Sequence, residues 1–524
     1  MTKEETNKLA DTLRLKSKTT RTENGALAYS TEAIGNRWVE VFYGVTSFRY
    51  RNVKREESLK TRFKRLNCKE DPLVKTFVDA LEESKSFDDK RYGIRLSLLI
   101  RDVINGCGER DLGRVLMTEL ADRELVTAER LIDVLGNKGY GRFDDLVEIA
   151  VATKNTELAR AIRAGLISQL RADAVALKSG GKISLLAKWM PSISASSSKT
   201  RQDALIFIRE MGISKKDYRL LLSGLRAALD IVERKICTKN FAEIDYAKLP
   251  SLAALRYANK FYLYDAERYR AYIDAVKNGK AKLNTKALSA PEVLAMARIE
   301  DFPETCEVFW KALPKAEVAG NILPVCDVSG SMFCSIGFFC AVDVSLGLSI
   351  YLSEANTGPF RGLVMSFSEN PVITDVSTAP NLREKVERIT SLGGYNTNIE
   401  KVLEVLFNFC KTKSVEASEL PTLVIFSDME FDAANVGNPF ETVFETYQRK
   451  FQEIGLSFPR VVFWNIAGRT GSLPLIENKT GLVLCSGFSE KLLEDMLSGT
   501  YPTPWETLKE ILDSPRYAGV LDGE

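Results

Sequence analysis

Hydrophobic residues recur at three- and four-residue spacing from about residue 30 to residue 300. This spacing places them on one face of an α-helix, and many segments begin behind a Ser, Thr or Asp start signal. The clearest segments read DPLVKTFVDALEES, TAERLIDVLGNKG, DDLVEIAVATKN, TELARAIRAGLISQLRADAVAL, KKDYRLLLSGLRAALDIVERKI and DAERYRAYIDAVKNG. Short polar turns separate them, with no strand-like segment between. The pattern predicts an α-solenoid or a similar helical array.

After Asn321 the pattern changes to short apolar runs that alternate with helical segments. The runs read NILPVCDV, RGLVMSFS, PTLVIFSD, RVVFWNIA and GLVLCSGF. Strands that are buried on both faces and separated by helices predict an α/β fold with a doubly wound, mostly parallel sheet. In that fold, ligands bind beyond the carboxyl ends of the strands.

The length of 524 residues indicates two or three domains. We expect a flexible N-terminus over residues 1–23, a helical domain over 24–310, an α/β domain over 320–500 and a helical tail over 501–524.

Charge is distributed unevenly along the chain. The overall formal charge is +2, but residues 1–320 carry +13 and residues 321–524 carry −11. This asymmetry suggests that the N-terminal part binds polyanions, although the two parts could instead attract each other.

Several classes of function and location are disfavoured. The chain has no histidine, which removes Ser-His-Asp and Cys-His catalysis and His-ligated zinc. Nine cysteines without a CxxC pair and the lack of an apolar leader predict a cytoplasmic protein. The apolar stretch Met332–Leu352 contains Asp343 at its centre, so we expect a loop and a buried helix rather than a membrane span.

A candidate metal site follows the first predicted strand, in PVCDVSGSMF. Its oxygen ligands would be Asp327, Ser329, Ser331, Thr397 and Asp428. Carboxylates and hydroxyls suit Mg²⁺ or another divalent cation, with one position left for water or for a carboxylate from a protein partner. A DxSxS turn without metal, and a metal site with a purely structural role, are the alternatives.

The order of these residues resembles the metal-ion-dependent adhesion site (MIDAS) of von Willebrand factor A domains. That signature is DxSxS followed by a Thr and an Asp on later loops. Many A domains have Gly-Gly before the Thr, whereas this chain has Tyr395 and Asn396.

Longer motifs in the helical part carry a second resemblance. They read LIRDVINGCGERDLGRV, GNKGYGRFDDLVEIA, LLAKWMPS and MGISKKDYRLLLSGLR. Together with a C-terminal A domain, they are similar to the helical-repeat (TROVE-like) domain of the Ro ribonucleoprotein family. Relatives of that family catalogued as a domain of unknown function resemble the chain most, over residues 24–500. The resemblance implies a HEAT-like ring or horseshoe that binds small non-coding or defective RNA, and we expect a monomer.

The candidate RNA-binding residues lie in the region that resembles the RNA-binding surface of Ro proteins: Lys199, Arg201, Lys215, Lys216 and Arg219. Taken alone, each of these residues fits a solvated surface position better than an RNA contact. Trp189 could stack a base or fill the core. The charged motif residues are interpreted first as ion pairs and helix caps: Arg101, Asp102, Glu109, Arg110, Arg142, Asp144 and Asp145.

The sequence therefore predicts an RNA-binding scaffold, not an enzyme, that binds a protein partner through Mg²⁺. The alternative is a protein–protein adaptor with no nucleic acid. Metal-dependent hydrolysis by Asp327 and Asp428 is disfavoured, because no suitable general base accompanies them.

Overall fold

The chain forms two compact units in a computed structural model. The helical unit comprises residues 63–249 and 512–524, and the sheet unit comprises residues 1–62 and 250–511. Within them, the structure describes residues 19–21, 27–30, 35–45, 71–229, 231–285, 288–299, 303–315, 321–335, 340–392, 397–429, 440–467, 472–473, 482–486 and 504–521.

The helical unit confirms the predicted helical array. Its helices are Pro72–Glu83 (α1), Phe87–Arg101 (α2), Arg110–Asp122 (α3), Ala128–Leu131 (α4), Phe143–Ala152 (α5), Thr156–Lys178 (α6), Leu186–Trp189 (α7), Ser198–Met211 (α8), Lys215–Ala228 (α9) and Val232–Cys237 (α10). A π-helical turn, Ile132–Asn137, continues α4. Side chains cap many of the N-termini, as Ser214 does by accepting a hydrogen bond from the Asp217 amide.

A buried ion-pair network joins α2, α3 and α5. The Asp145 carboxylate accepts from Arg101 Nη2 at 2.6 Å and from Arg114 Nε at 2.6 Å. Gly113 allows α3 to pack closely against α2, because a Cβ on residue 113 would lie 2.9 Å from Arg101 Cβ. The interpretation of Arg101 and Asp145 as a helix-to-helix ion pair is therefore confirmed.

The C-terminal segment packs on the same unit. Arg516 donates from Nε to Asp102 Oδ2 at 2.8 Å and from Nη2 to Oδ1 at 2.9 Å. Its guanidinium also lies 4.0 Å from the ring centroid of Tyr140. Tyr517 donates its hydroxyl to Asp102, whose carboxylate is fully buried. The ion-pair partner of Asp102 is thus a residue of the C-terminal segment, Arg516, and not one of the predicted motif residues.

The strands of the sheet unit are Thr19–Arg21 (β1), Leu27–Ser30 (β2), Ile322–Asp327 (β3), Leu363–Phe367 (β4), Ile373–Asp375 (β5), Thr422–Ser427 (β6), Val461–Asn465 (β7), Ser472–Leu473 (β8) and Leu482–Ser486 (β9). The main sheet has the order β5-β4-β3-β6-β7-β9. All neighbours pair in parallel except β5, which is antiparallel to β4. All five predicted strands are present, and the sheet is mixed because of the short edge strand β5.

The helices of the sheet unit are Ser251–Arg256 (α11), Ala258–Tyr264 (α12), Ala266–Lys277 (α13), Ala290–Ile299 (α14), Pro303–Lys311 (α15), Ala341–Ala355 (α16), Leu382–Thr390 (α17), Ile399–Lys413 (α18), Phe440–Glu453 (α19) and Pro504–Leu512 (α20). Residues 37–45 are also helical. Helix α16 lies almost entirely in the core, as expected for the apolar stretch before Leu352.

Two contacts place α14 with the sheet rather than with the helical array. A Cβ on Gly347 would lie 2.9 Å from Pro291 Cα, so α14 and α16 cross closely at a glycine. Arg298 also donates from Nε to the buried Asp343 carboxylate at 2.8 Å. Helix α14 therefore belongs to the compact unit that contains the sheet.

The two N-terminal strands take part in a small antiparallel sheet. Strand β1 pairs antiparallel with β2, which pairs antiparallel with β8 of the same unit. Across the described ranges, no helix has both the length and the apolar character needed to span a membrane.

Candidate metal centre and nucleic-acid interface

The candidate metal centre lies at β3, where the chain adds later strands to both sides of the sheet. Strand β3 has β4 on one side and β6 on the other, and both are parallel to it. The carboxyl ends of β3 and β6 therefore meet at one edge of the sheet, where doubly wound proteins bind ligands. Asp327 is the last residue of β3, and Asp428 follows the last residue of β6.

Asp327 and the two serines form one hydrogen-bonded turn. The Asp327 Oδ1 atom accepts from the Ser329 amide at 2.9 Å, and the Ser329 and Ser331 hydroxyl oxygens lie 3.1 Å apart. Asp327 is fully buried and Ser329 is 6% exposed, whereas Ser331 is partly exposed. The turn therefore brings a carboxylate and two hydroxyls together at the strand end.

Ser427 belongs to this cluster but was not among the predicted residues. Its hydroxyl donates to Asp327 Oδ2 at 2.6 Å and accepts from the Met429 amide at 3.2 Å. Only the pairing of β3 with β6 reveals the contact, since 100 residues separate the two side chains in sequence. The sequence signal that could have identified Ser427 was its position directly before the predicted ligand Asp428, in the FSD motif.

The two remaining predicted ligands are both buried. Asp428 is 1% exposed at the end of β6, and Thr397 is 3% exposed just before α18. Ser368, directly after β4, is a further buried hydroxyl, and its oxygen has no hydrogen-bond partner among the described residues.

The donor chemistry fits a hard divalent cation. Oxygen atoms of Asp, Ser and Thr are the ligands that Mg²⁺ accepts, and no softer side chain is part of the turn. Among the residues described, no three His, Cys, Asp or Glu side chains converge as a metal-binding group. The predicted set has only two carboxylates and takes its other oxygens from hydroxyls.

The basic residues concentrate in the second half of the helical unit. Residues 151–240 contain 17 Lys and Arg against 7 Asp and Glu, whereas residues 63–150 contain 15 against 18. Eleven of the 17 are exposed and form no ion pair with a described residue: Lys154, Arg160, Arg171, Lys178, Lys182, Arg209, Lys215, Lys216, Arg219, Arg234 and Lys239. The helices from α6 to α10 therefore present a strongly basic surface.

The structure separates the five candidate RNA-binding residues into two groups. Lys199 pairs with Glu148 at 3.2 Å and with Asp203 at 3.1 Å. Arg201 donates to the backbone carbonyls of residues 195 and 196, at 2.7 Å each. These two cations stabilise the start of α8. In contrast, Lys215, Lys216 and Arg219 are exposed on the first turns of α9.

Trp189 lies at the surface edge of this region rather than in the core. The side chain is partly exposed, with the Arg142 guanidinium 5.6 Å and the Lys188 ammonium 5.4 Å from its ring centroid. Trp189 therefore makes cation–π contacts with both Arg142 and Lys188.

Sequence comparison connects the chain to proteins of unknown function. Residues 209–319 match one domain of unknown function (DUF2828), and residues 321–510 match another (DUF7788). The "Uncharacterized protein L728" of Acanthamoeba polyphaga mimivirus is 30% identical over 530 residues, covering 94% of this chain and 87% of the viral protein. The chain belongs to the family of this mimivirus protein. The expected kinship with uncharacterised relatives is thus confirmed. These relatives assign no activity to the chain.

A solved structure is also similar to this chain. It is the crystal structure of the Ro (RSR) protein of Deinococcus radiodurans, with 14% sequence identity, covering 84% of this chain and 93% of that chain. The TM-score is 0.39, and at that value the likeness supports no inference about what this chain binds.

Proposed function

We propose that the protein is an RNA-binding scaffold, and not an enzyme, in which the helical unit binds RNA. The observation that carries this proposal is the group of exposed cations on α9, Lys215, Lys216 and Arg219, within a segment where Lys and Arg outnumber Asp and Glu by 17 to 7. Unpaired surface cations at this density attract phosphates and release counterions when they bind them.

Two further features support anion binding, and RNA binding in particular, by this unit. The first turn of α9 places Lys215 and Lys216 at a helix N-terminus, where the helix dipole adds positive potential. The motifs that resemble Ro ribonucleoproteins, RD-x3-GxGER and YGRFDDL, belong to the same unit. We expect RNA to be recognised through phosphates, shape and single-stranded ends. We expect the protein itself to be a cytoplasmic monomer.

Replacing Lys215, Lys216 and Arg219 together with alanine is expected to weaken RNA binding and its salt dependence. Each lost phosphate contact lowers the slope of log affinity against log salt by roughly 0.7–0.9, so the slope should fall by about 2–3. The measurement is fluorescence anisotropy of the full chain with a labelled stem–loop RNA that carries a single-stranded tail, over a series of salt concentrations.

The matched control removes three cations from the less basic part of the helical unit. Lys75, Lys85 and Lys90 are exposed or partly exposed on or beside α1 and α2. Their alanine variant should keep the affinity and slope of the unmodified protein. Absence of RNA binding by the unmodified protein, or equal losses in both variants, would favour the protein–protein adaptor.

We also propose that the sheet unit binds a divalent cation, Mg²⁺ in the cell, at a von Willebrand factor A-like site. The residues that would hold it are Asp327, Ser329, Ser331, Thr397 and Asp428. The bound ion would supply a positive charge that accepts a carboxylate oxygen from a protein partner. Ser427 would orient Asp327, since its hydroxyl donates to the same carboxylate.

Asp327→Ala is expected to weaken cation binding by the sheet unit without changing RNA affinity. Removal of one of two carboxylates takes away much of the negative charge of the set, so affinity for Mn²⁺, a probe for Mg²⁺, should fall at least about 10-fold. Electron paramagnetic resonance of free Mn²⁺ measures this directly. Glu369→Ala removes an exposed acid one residue beyond Ser368 and serves as the control. Equal Mn²⁺ affinity in the two variants would contradict the proposed ligand set.

A further inference from the structure

A cavity of about 260 Å³ opens in the helical unit between α9, α10 and the loop that precedes α8. Three of its lining residues are arginines: Arg219 and Arg226 from α9, and Arg234 from α10. Three more are serines, Ser192 and Ser194 from the loop and Ser223 from α9. Of the described residues, no Asp or Glu lines the cavity.

Among the residues that the structure describes, no acid balances the charges around the cavity. Arg219 and Arg234 are exposed and form no ion pair with any described residue. The nearest acids in sequence have other partners, since Glu233 pairs with Lys188 at 3.3 Å and Asp217 binds the Ser214 hydroxyl at 2.6 Å. Guanidinium groups that face one cavity repel each other, and a bound anion would remove that repulsion.

The walls of the cavity are held in place before any ligand binds. Arg226 donates from Nε to the Ala187 carbonyl at 2.8 Å and from Nη2 to the Met190 carbonyl at 2.7 Å. The buried Tyr218 donates its hydroxyl to the Pro191 carbonyl at 2.9 Å. Helix α9 thus fixes the turn that leads into Ser192 and Ser194. A preorganised wall lowers the entropic cost of binding.

The geometry points to a site for a phosphate monoester. A monoester carries a charge near −2 and three acceptor oxygens, which suits several guanidinium groups and serine hydroxyls better than a singly charged diester does. The small volume favours a chain end over a continuous strand. On the proposed function, the ligand is the terminal phosphate of an RNA; a small phosphorylated ligand has the same chemistry.

The test compares one stem–loop RNA sequence with three ends: a 5′-phosphate, a 3′-phosphate, or hydroxyls at both ends. Binding to the full chain is measured by fluorescence anisotropy, and adenosine 5′-monophosphate and inorganic phosphate are titrated separately by calorimetry. The variant is Arg219→Gln/Arg234→Gln. Its matched control is Arg160→Gln/Arg171→Gln, which removes two exposed, unpaired cations of α6.

We expect one phosphorylated end to bind about 10-fold more tightly than the hydroxyl form. The Arg219→Gln/Arg234→Gln variant should lose that preference, and the control should keep it. Failure of all RNAs to bind, with adenosine 5′-monophosphate or phosphate bound through Arg219 and Arg234, would retain the monoester site and overturn the RNA scaffold. Binding of all three RNAs alike, without binding of either small phosphate, would overturn the monoester site and leave the scaffold intact.

Discussion

Asp145→Ala is expected to lower the free energy of unfolding of the helical unit by about 3–5 kcal/mol. The Asp145 carboxylate is fully buried, and it accepts hydrogen bonds from Arg101, from Arg114 and from the Arg142 amide. Its removal leaves the Arg101 guanidinium, 1% exposed, without an acid partner among the residues that the structure describes. A loss of this size is a large part of the stability of an ordinary domain.

Urea unfolding of the full chain, followed by circular dichroism, measures this loss. Asp144→Ala is the matched control, because Asp144 is the neighbouring acid, is 17% exposed and pairs with Arg114 at 2.5 Å. The control should lose much less stability. Similar unfolding midpoints for the two variants would show that the buried network contributes little.

The same carboxylate should make the stability of the helical unit depend on pH in acid. Burial alone would raise the pKa of Asp145, but Arg101 and Arg114 outweigh burial and hold it below the ordinary value. A pKa that is lower in the folded than in the unfolded state gives a stabilisation that is complete above about pH 4 and declines as pH falls through the folded pKa. Asp145→Asn should remove this part of the acid dependence.

Arg516→Ala is expected to release the C-terminal segment from the helical unit and to cost about 2–3 kcal/mol. Arg516 makes two hydrogen bonds to the fully buried Asp102 and stacks on Tyr140. Without it, the Tyr517 hydroxyl and the backbone amides of residues 104 and 105 are the donors that remain to that carboxylate. The buried charge would then lack a cation.

Limited proteolysis and urea unfolding together test this prediction. Arg516→Ala should expose the segment after residue 511 to cleavage and lower the unfolding midpoint, and Arg516→Lys should recover only part of the effect because it lacks the planar fork. Asp513→Ala is the control, since its pair with Arg95 is partly exposed and worth less. Unchanged cleavage in Arg516→Ala would contradict a structural role for the pair.

The periodicity of apolar residues predicted the helices and all five parallel strands because it records which faces are buried. The edge strand β5 has only three residues, Ile373–Asp375, and is partly exposed, so its pattern is too short to recognise. The carboxyl-edge position of Asp327 and Asp428 followed from the strand order alone. The contact of Asp327 with Ser427 required the pairing of strands that are distant in sequence.

Long-range contacts are the part that the sequence could not supply. Arg101, Asp144 and Asp145 were recognisable as ion-pair residues from opposite charges in short motifs, whereas the Asp102 partner lies 414 residues away. The sequence also did not show which basic candidates form ion pairs within the protein. Lys199 and Lys215 are the same type of residue, but only Lys199 lies near a described acid from another helix, Glu148.

The return of the C-terminal segment to the helical unit sets an order for biosynthesis. Residues 250–511 leave the ribosome between the two parts of that unit. At roughly 5–20 residues per second, the interval lasts on the order of 10–50 s. During that time the nascent helical unit holds Asp102 without Arg516 and Tyr517, and the face that receives them stays open. The helical unit therefore starts to fold first, yet is completed only after the sheet unit has been synthesised.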